Sequence, residues 1–274
     1  MIRDTFFSMP RFVSLCRKEM VESWRANVLR MVLMYGMMAI IFIWNGYYEY
    51  YGYDWEGATE DPVWAFDVVI FIWSIVVMGC LSASFMMERM KTKTGRTAML
   101  MMPATMFEKF FSRWLIFTFG FLIVFLVAFK LADWTRVLYF MIKYPDANQI
   151  ASIPLLPYLV GPAEHWTAFG DCNQFMLGVS FYFLLQSCFV LGSSIWPKNA
   201  FLKTFSVGVV IVITYLLIGT GLVKSLFSEH YVGKRYFSED EGCFWGFILF
   251  SLAALFNWVL AYFRFKESEI INRW

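Results

Sequence analysis

The sequence predicts an all-α integral membrane protein with six transmembrane helices and an N-terminal amphipathic helix in the inner leaflet. Three observations predict it. Of the 274 residues, 59% are hydrophobic and only 16% are charged, where a soluble domain is nearer half apolar and a quarter charged. Six stretches reach the ~20 mostly apolar residues that a span needs: about 28–48, 63–86, 111–130, 173–196, 202–222 and 244–264. Between them, segments rich in basic residues alternate along the chain with segments poor in them, as a multi-pass chain requires.

Residues 9–26 come first and are too polar to span. On a helical wheel Phe12, Val13, Cys16, Met20 and Trp24 share one face, and Ser14, Arg17, Lys18, Glu22 and Arg25 fill the other. That is the pattern of a helix lying in an interface, with its basic residues at anionic headgroups. The charges in residues 1–27 and the lack of an uninterrupted apolar core there argue against a secretory signal.

Helix starts support the spans. Asp61-Pro62 offers an N-cap and a proline in the first turn. Thr105 with Glu108, Asp171 with Gln174, and Ser238 with Glu241 have capping-box spacing before the third, fourth and sixth spans. Segments 1–30, 87–113, 197–203 and 264–274 hold 17 of the 23 Lys and Arg residues, whereas 49–61 holds five acids and no base. Lys and Arg favour the cytoplasmic side, so both termini are expected there.

Two extracytoplasmic segments are expected, 131–171 and 223–243. The first is rich in aromatic residues and contains "IASIPLLPYLV", which is too short to cross. It should lie on the outer surface or dip in against protein. No linker or internal repeat breaks the chain, so 1–274 reads as a single transmembrane domain. Of the five cysteines, Cys80 and Cys188 read as small hydrophobes. Cys172 and Cys243 each open a predicted span, where an oxidising compartment would let them pair.

Several chemistries have no footing. There is no GxxxxGK[ST] phosphate loop, no HExxH and no GxSxG. The two histidines, His165 and His230, stand in outer segments and do not suggest a metal site. No enzymatic role is expected, and no metal or other cofactor on this chain. Within the spans the main polar residues are Asn45, Asp67, Gln186 and Asn257. Asp67 reads as a hydrated carboxylate near the outer end, and Gln186 and Asn257 as helix–helix hydrogen-bond partners. An ion-coupled carrier needs ionisable groups near the midplane. Energy for uphill movement would therefore come from outside the chain.

The stretch "ERMKTKTGRTAMLMMPATMFEKFFSRW" is where it could enter. Glu88 and Arg89 begin the loop. Lys91, Lys93 and Arg96 surround Gly95, read as a hinge. Residues 96–102 make a short apolar helix that Pro103 stops. Glu108 and Lys109 then begin the third span. A short apolar helix in a cytoplasmic loop must bury itself, in headgroups or in a partner's groove. Leu100 and Met101 are the expected apolar contacts, with Arg89, Lys91, Lys93 and Arg96 setting register. Replacing Leu100 with Asp is expected to uncouple transport while leaving membrane insertion intact.

This order of parts resembles the permease subunits of ATP-binding-cassette exporters, in the type-two permease family. "MMPATMFEKFFSRWL" is similar to "LPAS…EKF…RWL" stretches in a branch common in Bacteroidetes-type bacteria. The resemblance implies an inner-leaflet helix, six spans, and an 88–104 coupling loop with an acid (Glu88), a glycine (Gly95), a coupling helix (Arg96 to Met102) and a break (Pro103 to Thr105). The spacing departs from the family's acid-x-x-x-G, because six residues separate Glu88 from Gly95. The resemblance further implies a short hairpin in 223–243, a cytoplasmic ATPase subunit carrying ATP and Mg, a second permease chain as homo- or heterodimer, and a bacterial inner membrane. Membrane lipids are partners on this reading and nucleic acid is not. The rivals are a membrane enzyme, for which the spans offer almost no convergent groups, and a non-transporting scaffold or sensor that binds an ATPase. The aromatic and Met-rich spans suit a lipid or another apolar cargo, with drug, polysaccharide and peptide still open.

Overall fold

The computed structural model describes residues 6–53, 61–145, 147, 149–161, 166–226 and 238–268. His165, His230 and residues 227–237 of the hairpin expected in 223–243 lie outside them. Among the described residues the chain is helical, with no strand beyond one isolated bridge between Val160 and Phe169. The helices are α1 (Met9–Glu22), α2 (Trp24–Glu49), α3 (Trp64–Ser84), α4 (Lys93–Leu100), α5 (Met106–Leu115), α6 (Phe121–Lys143), α7 (Leu155–Leu159), α8 (Cys172–Ile195), α9 (Ala200–Leu226) and α10 (Glu239–Lys266). A 3-10 turn, Glu88–Lys91, precedes α4, and a π turn, Ile116–Gly120, joins α5 to α6. Six helices are long and apolar enough to cross a membrane.

The third of these is the main departure from the expected spans. It was expected at 111–130 and runs instead from Met106 to Lys143, 38 residues. At 1.5 Å per residue that is about 57 Å, against ~30 Å of hydrocarbon. The first third of the expected 131–171 loop is therefore helix. The reason is a continuing apolar stripe: Phe125, Ala128, Phe129, Ala132 and Phe140 are all buried and keep helical spacing. The charged residues that seemed to end the span, Lys130, Asp133 and Arg136, find partners instead of solvent.

The helices form two compact units. Unit 1 holds residues 1–79 and 107–175. Its core joins Met34, Met38 and Phe42 of α2, Val68 and Phe71 of α3, and Phe125 and Phe129 of α6. Phe42 meets Phe129 edge-on at 5.5 Å, and Phe71 meets it at 4.8 Å. Gly46 lets α2 approach closely, since a methyl there would come within 2.5 Å of the Phe140 ring. The proline-rich segment packs against protein: Ile153, Tyr158 and Leu159 join this core. The backbone of α7 is tied to residues 168 and 169 by two hydrogen bonds.

Helix α1 ends at Glu22, and Trp24 already belongs to α2. The buried face of α1 is Phe12, Leu15 and Glu19. The other half of its apolar side, Met9, Val13 and Met20, stays exposed.

Unit 2 holds residues 80–106 and 176–274. Here Thr204 of α9 presses on Gly192 of α8, where no side chain would fit. Asn257 of α10 donates to Ser187 Oγ at 3.0 Å. The expected capping box opens α10, with Glu241 N–H donating to Ser238 Oγ and Ser238 N–H to Glu241 Oε2. At α8, Gln174 accepts instead from Gly170 N–H. All five cysteines are free thiols, so Cys172 and Cys243 are unpaired.

Candidate functional site

The loop between the second and third long helices is compact. Met86, Met87 and Met90 are buried beneath it, and Met99 of α4 joins them among the buried side chains. Thr92 caps α4 by accepting from Gly95 N–H at 3.2 Å. The helix therefore starts at Lys93, before the expected Arg96, and stops at Leu100. Pro103 explains the stop, because the residue before a proline is pushed out of helical geometry.

Gly95 is not a hinge in this fold. It lies in the first turn of α4, and any side chain would collide with the Arg89 carbonyl oxygen. Its role is close approach of two backbones. Arg96 folds back and donates to the Met90 carbonyl at 3.4 Å. Glu88, Lys91, Lys93 and Pro103 are exposed, Arg89, Arg96 and Leu100 half-buried. Met101, just past the helix, is 72% exposed. The loop thus presents Lys91, Lys93 and Met101 on a braced knob, with Leu100 partly withdrawn.

Glu108 and Lys109 do not join that surface; both are buried in unit 1. Glu108 accepts from Ser8 N–H at 2.7 Å and from Arg11 Nη2 at 3.1 Å. It thereby satisfies the backbone N–H of Ser8, the N-cap residue of α1. One and a half turns along α5, Arg113 Nε donates to Glu19 at 3.3 Å. Phe12 packs on Phe111 between these two pairs. These residues act as a clamp that fixes α1 to α5.

The larger surprise is a buried ionic cluster in unit 1. Arg136 of α6 is fully buried and places all five of its N–H groups. Its Nη1 donates to the Tyr50 hydroxyl at 2.7 Å and to Asp61 at 2.9 Å. Its Nη2 donates to Asp133 and to the Ala151 carbonyl, both at 2.8 Å. Its Nε faces Asp133 at 3.3 Å and Asp67 at 3.5 Å. Asp67 also accepts from Asn45 at 3.1 Å. It is fully buried, so it is not the hydrated interfacial carboxylate expected from its position.

The same groups hold the proline-rich segment in place. Asp133 Oδ2 accepts from Ile153 N–H at 2.9 Å, and Lys130 donates to the Ile153 carbonyl at 2.7 Å. Asp61 combines two tasks, accepting from Val63 N–H at the start of α3 and from Arg136. Burial pushes the Tyr50 phenol above its ordinary range, against the pull of the Arg136 guanidinium, so it remains a donor to Asp61. Sequence reading missed this cluster. The readable signal was Asp133 and Arg136, three residues apart on the stripe that continues past Lys130.

No protein-family model, curated protein or solved structure matches the chain.

Proposed function

We propose that this chain is the membrane-spanning permease subunit of an ATP-driven exporter, coupled to a separate cytoplasmic ATPase through residues 88–104. The observation that carries this reading is the braced knob. A capped helix of eight residues stands between the second and third long helices, with lysines and one bare methionine outward and methionines packed beneath it. Such a rigid element can pass a push into the helices on either side. ATP binding would draw two ATPases together, and the knobs would carry that motion into two permease chains. The resemblance of residues 101–115 to exporter permeases points the same way.

Other features fit the reading. The exposed stripe of Met9, Val13 and Met20 suits the inner leaflet, with α1 clamped to the helix that follows the knob. The apolar stretch of α9 has none of its residues buried, which leaves it for lipid and a second permease chain. The distribution of basic residues supports cytoplasmic termini, and the resemblance supports a bacterial inner membrane.

Met101 is a cleaner probe than the half-buried Leu100. Met101→Asp is expected to leave the amount of folded protein in the membrane unchanged. It should weaken association with the ATPase about tenfold or more, as for loss of a central apolar anchor. Affinity measured between the detergent-purified chain and an ATPase encoded beside it checks this. Equal affinity for both forms would remove Met101 from the interface. An ATPase that binds but whose hydrolysis ignores this subunit would favour the scaffold reading.

A further inference from the structure

Helix α8 treats its polar side chains in two ways. Ser180, Ser187, Ser193 and Ser194 each donate to the carbonyl three residues back, at 2.7–2.8 Å. Tyr182 and Gln186 are too long for that. Gln186 is fully buried and Tyr182 is 7% exposed. Among the described residues, neither amide atom of Gln186 nor the Tyr182 hydroxyl has a hydrogen-bond partner. The two residues lie one turn apart on one face of the helix. Asn257, which could have served Gln186, bonds Ser187 and Cys188 instead. In a helix apolar enough to cross a membrane, three unpaired polar atoms in one place call for a reason.

The geometry points to a binding site at Tyr182 and Gln186 for the uncharged, hydrogen-bonding head of an apolar molecule, engaged when the packing around α8 opens. This deepens the exporter reading, on which it rests for the opening, by naming the chemistry of the cargo. Gln186 offers two donors and an acceptor oxygen, and Tyr182 a hydroxyl that does either. The neighbours Cys80 and Cys188 are thiols, and α8 itself carries no charged residue. A charged head would find no counter-ion along this helix; a hydroxyl, ester or amide would find hydrogen-bond partners. In the packed arrangement these groups are unsatisfied. A molecule that pairs them therefore binds the opened arrangement better and shifts the population toward it.

The test uses the full-length protein in nanodiscs and a monoacylglycerol with a photoactivatable acyl chain. Saturable labelling of α8 is expected. Gln186→Leu should weaken it about tenfold and Tyr182→Phe about threefold, as for the loss of intramembrane hydrogen bonds. The same acyl chain carried by a headless alkane should label both variants like the unaltered protein. Equal monoacylglycerol labelling in all forms would overturn the site and leave ordered water as the partner of these groups. So would alkane labelling that matches monoacylglycerol. Tyr182→Phe removes one oxygen, so it keeps the test valid if Gln186→Leu misfolds. No ATPase is present, so failure here with an intact ATPase complex sinks the site alone. The reverse result sinks the coupling alone.

Discussion

Arg136→Ala is expected to destabilise the protein by about 3–5 kcal/mol, the cost of leaving buried charges without their partner. Asp61, Asp133 and Asp67 all face Arg136 and all are buried. Without it their carboxylates lose their main compensation, and the Ala151 carbonyl keeps only the Trp64 indole N–H of its two donors. Arg136→Lys keeps the charge but cannot reproduce the five-donor fork, so it too should destabilise, by less. Replacing Arg136 by Met together with Asp61, Asp67 and Asp133 by Asn should recover part of the loss, because no uncompensated charge then remains. Thermal unfolding in mild detergent, followed by loss of the monodisperse peak, checks the series. An Arg136→Ala midpoint equal to that of the unaltered protein would show that the cluster contributes nothing.

The second large effect is expected at Gly95. In Gly95→Val the new side chain meets the Arg89 carbonyl oxygen, a backbone atom that cannot swing aside. The 3-10 turn and α4 must then separate, which also breaks the Thr92 cap. Overpacking of this kind costs about 1–3 kcal/mol, comparable to the whole local stability of an eight-residue helix. Trypsin should then cut at Lys91, Lys93 and Arg96 about tenfold faster or more, since cleavage follows the population of the open form. Unit 1 does not contain the loop, so its cluster should keep the protein folded. Unchanged cleavage in Gly95→Val would mean that the loop is already open in solution.

What could be read from the sequence follows a physical divide. Helix existence depends on local length and hydropathy, so six long helices were legible, as was the capping box at Ser238. Pairings between distant residues leave no such local mark. Asp61 and Arg136 are 75 positions apart, and each looks like an ordinary loop or interface charge until folding joins them. Asp67 looked solvated for the same reason. Glu108 stood three residues after Thr105 at capping-box spacing, and nothing local showed that its carboxylate also serves Ser8, 100 positions away. Gly95 was legible as special but not in what way, because a glycine can mark freedom or tightness and only the neighbouring backbone decides. Residues 88–104 were legible as a charged loop with a short apolar helix; which side chains it presents depended on packing beneath Met99.

The account stands on the loop receiving motion from a nucleotide-hydrolysing partner. The most direct measurement places a cysteine at Met101, 72% exposed, in a chain whose five native cysteines are replaced. Membranes containing the neighbouring ATPase are then treated with a short thiol cross-linker. The account predicts a cross-linked pair with that soluble subunit, whose yield changes when ATP binds. Position 101 reacting only with lipid-borne reagents, with no soluble protein attached in either nucleotide state, would contradict it.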